Sequence, residues 1–247
     1  LEPDQIAAIL RETNAKVLVT LRGFPKTDLA QLAADAVAQA PNVEAVLEVD
    51  LNRYLTPPKS WIVPLIRPKV AVAHSAKVLD FNAELDKQNR MLDFADSAED
   101  RVAAYFHTGG TTGVPKLVAH THRSQLVSAF GGAAMCGYTS DDIMTATLPL
   151  FHVAGTMVGG LRAFMAGVEL VVMSPSGLRN PAIVEGFWRL VAQYNITVVG
   201  GVPTALGAVL QVPVGDNDIS AVRTGLTGAA LLPPAVGTRF KNVTGCH

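Results

Sequence analysis

Short aliphatic runs alternate with helix-spaced apolar patterns along this chain, and that alternation restricts its fold more than any other feature. Lys16-Val17-Leu18-Val19-Thr20 reads as a strand, Leu29, Leu32, Ala33, Ala36 and Val37 then recur at helical spacing, and 44–49 reads as the next strand. From Arg101 the rhythm tightens, with strand patterns at 102–107, 143–148, 168–173, 196–199 and 222–226 and helical segments between them. Strand–helix–strand units of about 25 residues predict a layered α/β fold, a mostly parallel β-sheet flanked by helices with right-handed crossovers. The clearest helix start is Asn180-Pro181, a cap followed by a first-turn proline, which places Ile183, Phe187, Leu190, Val191 and Tyr194 on one face. The opening residues carry a similar signal, Pro3 followed by Ile6, Ile9 and Leu10.

Two stretches need separate treatment. Residues 190–215 contain no charge and are long enough to span a bilayer. Gln193, Asn195, Gly200-Gly201, Pro203, Gln211 and Pro213 interrupt them, so they read as helix end, buried strand, turn and short helix; a parallel strand covered on both faces lacks polar alternation. Residues 51–100 are less regular, broken by Pro57, Pro58, Pro64 and Pro68, with Trp61-Ile62-Val63 as their strongly apolar piece. They read as an excursion packed on the surface, with a membrane- or partner-touching hydrophobic loop as the second reading.

Composition removes several function classes. Twenty Lys+Arg against 21 Asp+Glu give a net charge of −1 over 247 residues, which supplies no basic stripe for nucleic acid. Two cysteines, Cys136 and Cys246, support neither a disulfide framework nor a Cys-ligated metal centre, and suit a reducing cytoplasm. No charged segment followed by an apolar run opens the chain, so no secretory signal or transmembrane segment is expected. The first residues lie inside a helix signal and the last are Gly245-Cys246-His247 without a polar tail, the pattern of a fragment of a longer protein.

The chemistry concentrates in Thr108-Gly109-Gly110-Thr111-Thr112-Gly113-Val114-Pro115-Lys116, after a strand and before a helix expected to begin near Thr121. Glycines let the backbone turn tightly and aim N–H groups at one point, threonines add hydroxyl donors, and Lys116 adds a full positive charge; such an inventory suits polyphosphate oxygens. A Walker A loop is excluded, because Val114-Pro115 separate Gly113 from Lys116 and Leu117 follows the lysine where Ser or Thr is needed. The glycine spacing also fails the G-x-G-x-x-G dinucleotide pattern. A second candidate is His152 in Pro149-Leu150-Phe151-His152, at the end of a strand pattern, where open parallel sheets bind their ligands. His107, His120 and His122 read as structural or rim residues.

Taken in order, these blocks resemble the adenylate-forming, AMP-binding superfamily, most closely a bacterial-type acyl-CoA synthetase or fatty-acid–CoA ligase. Thr108 to Lys116 is similar to its phosphate-binding signature, and Leu148-Pro149-Leu150-Phe151-His152-Val153-Ala154-Gly155 to the block beside its carboxylate substrate. Val202-Pro203-Thr204 resembles its pocket wall, and Thr227-Gly228-Ala229-Ala230-Leu231-Leu232-Pro233 the turn on which adenine rests. The resemblance implies an incomplete large N-terminal domain: 1–100 as a flanking α/β segment, 101–247 as the core with phosphate loop and adenine and acyl pocket, and a small C-terminal domain absent. It implies Lys116, Thr111, Thr112 and His152 in catalysis, and Thr108, Gly109, Gly110, Thr111, Thr112, Gly113, Lys116, Gly228, Ala229 and Ala230 around the nucleotide. His152, Val153, Gly155, Val202, Pro203 and Thr204 would line the acid pocket.

The activity implied is ATP-dependent: a hydrophobic carboxylic acid becomes an acyl-adenylate and passes to coenzyme A. The alternatives are loading of a carrier-protein thiol, or a non-catalytic nucleotide-binding module. ATP, Mg2+ and coenzyme A are the small molecules implied, with the main magnesium ligand expected beyond the C-terminus because the family's Tyr-Gly-x-Thr-Glu block has no match here. For the same reason these residues alone are expected to be inactive. A homo-oligomer is left open.

Overall fold

A computed structural model describes residues 1–91, 99–108, 116–174 and 176–246. They form two units, Leu1–Ala119 and His120–His247, each with its own packed interior. The division falls later than Arg101, where the sequence rhythm changes.

The first unit runs α1 (Pro3–Glu12), β1 (Val17–Leu21), α2 (Leu29–Ala38), β2 (Ala45–Val49), a 3-10 turn (Leu51–Tyr54), α3 (Lys59–Ile66), β3 (Lys77–Asp80), α4 (Phe81–Asp86), β4 (Val102–Thr108) and β5 (Lys116–Thr121), the last passing into the second unit. Strands β1, β2 and β3 form a parallel sheet in that order, with Leu18 opposite Val46 and Leu47 opposite Leu79. Pro3 starts α1 at a position that needs no N–H, and Gln5 Oε1 accepts the Glu2 N–H at 3.0 Å. Leu10 of α1 and Val37 of α2 meet Ala40, Val43 and Val46 in one apolar cluster. Asn42 ties the chain beneath it, donating to the carbonyls of Leu10 at 2.9 Å and Ala15 at 2.8 Å.

Two expectations change in this unit. The Trp61-Ile62-Val63 piece is helical, within α3, and Val63 is the residue of that helix that is buried, while Trp61 and Leu65 are 70% and 84% exposed. Strand β4 is not a member of a parallel sheet but pairs with β5 in a two-stranded one. The helix expected near Thr121 does begin there, but β5 stands before it, so Lys116 opens a strand instead of leading to a helix N-terminus.

The second unit runs α5 (His122–Met135), β6 (Ile143–Thr145), a π-helix (Ala154–Leu161), α6 (Arg162–Ala166), β7 (Glu169–Val171), a 3-10 turn (Gly177–Arg179), α7 (Pro181–Glu185), α8 (Phe187–Gln193), β8 (Val198–Gly201), α9 (Pro203–Val209), β9 (Thr224–Thr227) and α10 (Pro234–Thr244). Its sheet has the order β7-β6-β8-β9, all pairs parallel, as the strand–helix alternation predicts. Every residue of β8 is buried, which explains its lack of polar alternation. Among the described residues no helix is long and apolar enough to cross a membrane.

Phe187, Trp188, Val191, Ile196, Val199, Leu206 and Val209 form the core of this unit. The Trp188 ring meets Phe187 edge-on, centroids 5.1 Å apart, and its Nε1–H is shared between the carbonyls of Val209 at 3.1 Å and Val212 at 3.0 Å. That donor needs a partner because the residue is almost fully buried. The single helix expected from Pro181 is two short helices meeting at Gly186, and Tyr194, expected on the inner face, is 42% exposed. Glycine is a poor helix interior residue, and the break lets α8 turn Trp188 inward beside Phe187.

At the amino ends of the strands lies the strongest polar constraint. Asp142, just before β6, is buried and accepts from Arg223 through both Nε (2.7 Å) and Nη2, from the Thr197 hydroxyl at 2.7 Å and from the Thr139 N–H at 2.9 Å. One carboxylate thereby joins the approaches to β6, β8 and β9. Burial alone would push this carboxyl up, but the Arg223, Thr197 and Thr139 hydrogen bonds outweigh it and hold it at about 2.

A lowered folded-state pKa means the unfolded chain takes up the proton first as pH falls. The contribution, about 2 kcal/mol, is complete above about pH 4 and disappears as pH drops through about 2. Asp142→Asn is expected to cost about 2–3 kcal/mol at pH 7, less than a fully buried pair because Arg223 is partly exposed. Urea denaturation from pH 7 to 3 should show the stability gap between the wild type and Asp142→Asn narrowing toward the acid end.

Candidate functional site

A cavity of about 490 Å3 opens beyond the carboxyl ends of β6, β8 and β9. Three strand ends and the residues after them supply one wall: Met144 to Pro149 from β6, Gly200-Gly201-Val202 from β8, and Leu226 to Ala229 from β9. Opposite them the π-helix contributes Ala154, Gly155, Val158 and Gly159, followed by Arg162; Met135, Phe151, His152 and Arg179 complete the lining. The lining is predominantly apolar with few polar groups, the usual make-up of a small-molecule site. Its location is the one open parallel sheets reserve for ligands.

The π-helix is shaped by glycine. A Cβ on Gly155 would lie 2.0 Å from the Pro149 carbonyl oxygen, so at this position the helix packs directly on backbone. Gly159 is different: the nearest atom to an added Cβ is 3.9 Å away, and its missing side chain leaves open volume. The Thr156 hydroxyl closes the preceding turn on the carbonyls of Leu150 at 2.9 Å and His152 at 3.2 Å.

His152 stands at the start of this helical wall with an exposed ring. Its Nδ1 accepts the Ala154 N–H at 3.1 Å, so in the neutral imidazole the proton sits on Nε2, which is left to donate. Across the cavity the Thr227 hydroxyl is buried and has no hydrogen-bond partner among the described residues. Beside it Ala229 adopts φ 68°, a left-handed conformation costly for a residue with a Cβ, and such outliers concentrate at ligand sites. At the other end of the π-helix, Arg162 Nε is buried without a partner, with Nη1 3.9 Å from Cys136 Sγ. Nearby, Tyr138 has a buried, unpartnered hydroxyl, pushed up to about 12 by burial and by Cys136 against the opposing effect of Arg162.

Of the residues expected at the site, His152, Gly155, Val202, Gly228 and Ala229 come together around this cavity. Val153, at the N-terminus of the π-helix, Ala230, and Pro203 and Thr204 in the first turn of α9 neighbour lining residues without being among them. Thr108 ends β4 and Lys116 starts β5; both are exposed, and the Thr108 hydroxyl donates to the Lys116 carbonyl at 3.3 Å. Gly109, Gly110, Thr111, Thr112 and Gly113 lie outside the described residues. Sequence reasoning missed Arg162, Thr145 and Thr147. Nothing local marks them: Arg162 follows a Gly-rich apolar run, where a long cation reads as a solvated surface residue.

Comparison with known proteins places the chain in the adenylate-forming class. The whole chain, residues 1–247, matches the AMP-binding enzyme family, and the protein belongs to it. It is 34% identical over 265 residues to the marinolic acid–CoA ligase of Pseudoalteromonas sp. (strain SANK 73390), a match covering 95% of this chain and 40% of that protein. It is 25% identical over 261 residues to the long-chain-fatty-acid–CoA ligase of Haemophilus influenzae, covering 99% of this chain and 44% of the relative. The chain thus spans less than half the length of these relatives. The crystal structure of the anthranilate CoA ligase AuaEII in complex with anthranoyl-AMP superposes on all of this chain and 42% of its own with a TM-score of 0.76 at 21% identity, a likeness of fold.

The contrast between two glycines is directly testable. Gly155→Ala is expected to destabilise the second unit by about 1–3 kcal/mol, because backbone must move to admit the methyl group. Gly159→Ala is expected to stay within about 0.5 kcal/mol of the wild type. Thermal unfolding followed by near-ultraviolet circular dichroism reads both.

Proposed function

We propose that the chain forms the nucleotide- and acid-binding part of an ATP-dependent acid–thiol ligase, which activates a hydrophobic carboxylic acid as its acyl-adenylate and transfers the acyl group to coenzyme A. The observation that carries this reading is the apolar cavity beyond β6, β8 and β9, with a histidine donor at one edge and the Thr227-Gly228-Ala229 turn at another. Family membership and the names of the relatives, both acid–CoA ligases, support it.

In the first step a carboxylate oxygen of the acid attacks the α-phosphorus of ATP, and the bond to the departing pyrophosphate breaks. In the second the coenzyme A thiolate attacks the acyl carbon and AMP leaves. No general base is needed for the first, since the acid is already ionised at neutral pH. His152 Nε2–H would hold one carboxylate oxygen and turn the other toward phosphorus, a positioning role. The cavity wall strips water from the acid and strengthens that hydrogen bond.

The small residues Gly228, Ala229 and Ala230 would give adenine a flat floor, and the Thr227 hydroxyl a polar contact. Lys116, Thr108, Thr111, Thr112 and the amides of Gly109, Gly110 and Gly113 would take the β- and γ-phosphates. These reactions use magnesium; among the described residues no cluster of three or more His, Cys, Asp or Glu side chains could hold a metal ion. A cytoplasmic setting and a role in fatty-acid metabolism fit this reading.

The test uses the full-length protein. Acid-dependent exchange of pyrophosphate into ATP should occur with medium-length hydrophobic acids, and acyl-CoA should accumulate when coenzyme A is added. Lys116→Ala should slow exchange by on the order of 10²–10³. His152→Ala should lower kcat/KM for the acid by about 10- to 100-fold, the loss of one hydrogen bond to a charged group. A near-normal rate in Lys116→Ala would remove the assigned phosphate role.

A further inference from the structure

Arg162 has no role in the reaction just described, yet it is the most anomalous side chain around the cavity. It contributes to the lining, its Nε is cut off from solvent without a hydrogen-bond partner, and it forms no ion pair among the described residues. Beside it lie the Cys136 thiol, 3.9 Å from Nη1 and a weak acceptor, and the Tyr138 hydroxyl. Arg162 is half-buried, and a guanidinium whose Nε is shielded from water without a partner is better satisfied by a bound anion.

The surroundings accommodate it specifically. A Cβ on Gly132 of α5 would lie 2.3 Å from Arg162 Nε and 2.4 Å from Cζ, so the guanidinium rests directly on bare backbone. Any larger residue at 132 would displace it. Gly132 therefore leaves the room that the Arg162 head group occupies.

Its position gives the cavity two polar ends. Ala154, Gly155, Val158 and Gly159 present one apolar, small-residue face along the π-helix, with His152 before that face and Arg162 after it. At the α-helical rise the two are separated by at most about 15 Å along the axis, within reach of the ends of one medium-length chain. Arg179 also borders the cavity but is exposed.

We propose that Arg162 determines substrate specificity: the acid this cavity takes carries a second anionic carboxylate at its far end, which pairs with the Arg162 guanidinium while the reacting carboxylate lies at His152. The substrate class is an α,ω-dicarboxylic acid with an apolar middle. This inference rests on the ligase reading, whose acid site it deepens. A planar guanidinium receives a carboxylate through paired N–H donors, and a site built for such a partner discriminates strongly against an analogue that lacks it.

The experiment compares adipic, suberic and sebacic acids with hexanoic, octanoic and decanoic acids in pyrophosphate exchange by the full-length protein, with thermal stabilisation by the same acids as a second readout. The expected result is a preference of about 10- to 100-fold in kcat/KM for a diacid over the monoacid of equal length, arising mainly in KM. Arg162→Met should abolish that preference, while Arg162→Lys keeps part of it.

Equal use of both series by the wild type would overturn the proposal, as would an equal loss for both in Arg162→Met. If Arg162→Met does not fold, the selectivity of the wild type alone decides. Absence of exchange with every acid would count against the ligase reading instead. A thermal shift specific to diacids and lost in Arg162→Met would then still support the anion site, and no such shift would overturn it.

Discussion

The carboxylate of Asp142 is the constraint on which the second unit depends. It lies at the amino ends of the parallel strands, where it engages Arg223, Thr197 and Thr139 and so fixes the approaches to β6, β8 and β9. Parallel strands have no hairpins to set their register, so a shared polar anchor at one end does part of that work. With the amino ends fixed, the carboxyl ends can diverge into turns of irregular backbone. The cavity opens there, on the side away from the anchor. The polar anchor and the cavity thus sit at opposite ends of the same strands.

A carboxylate also anchors a strand end in the first unit, here the carboxyl end of β2. Asp50, immediately after β2, accepts twice from Arg67 Nη2 at 2.9 Å and caps the following 3-10 turn through Asn52 N–H at 2.9 Å. Burial favours its neutral form, but Asn52, Arg67 and Arg22 outweigh that and hold the carboxyl below its ordinary range. Glu48, two residues earlier, is pushed the other way: burial, with Asp50 and Asp80, raises it against the lowering effect of Arg22 and Arg67. Two carboxylates close together share the same arginines, and the one at the strand end receives the better hydrogen bonds.

The fold was largely legible because its signals are local. Aliphatic runs at 16–20, 44–49 and 196–199 became β1, β2 and β8 within a residue or two, and the proline starts at Pro3 and Pro181 became helix starts. The misses have equally local reasons. Strand β5 reads as loop because Lys116 and His120 interrupt its apolar residues, and only pairing with β4 makes it a strand. Gly186 was too weak a signal against a strong amphipathic pattern to reveal the break between α7 and α8. At the site, His152, Gly155, Gly228 and Ala229 were visible through their motifs. Arg162 was not, since its meaning comes from Gly132 on another helix, a contact no spacing rule encodes.

The π-helix adds a mechanical property to the cavity wall. Its N–H groups reach back five residues, as Arg162 N–H does to the Met157 carbonyl, so each hydrogen-bonded ring encloses one residue more than in its α-helical neighbour α6. Deleting one residue there with the π-type pairing kept would turn everything after it by one residue's step about the screw axis. The side chain at position 162 would then swing out of the cavity while His152, upstream, stayed where it is. Segment length between these two residues is accordingly a variable separate from their identity, and relatives differing by a single insertion could read different ligands with the same side chains.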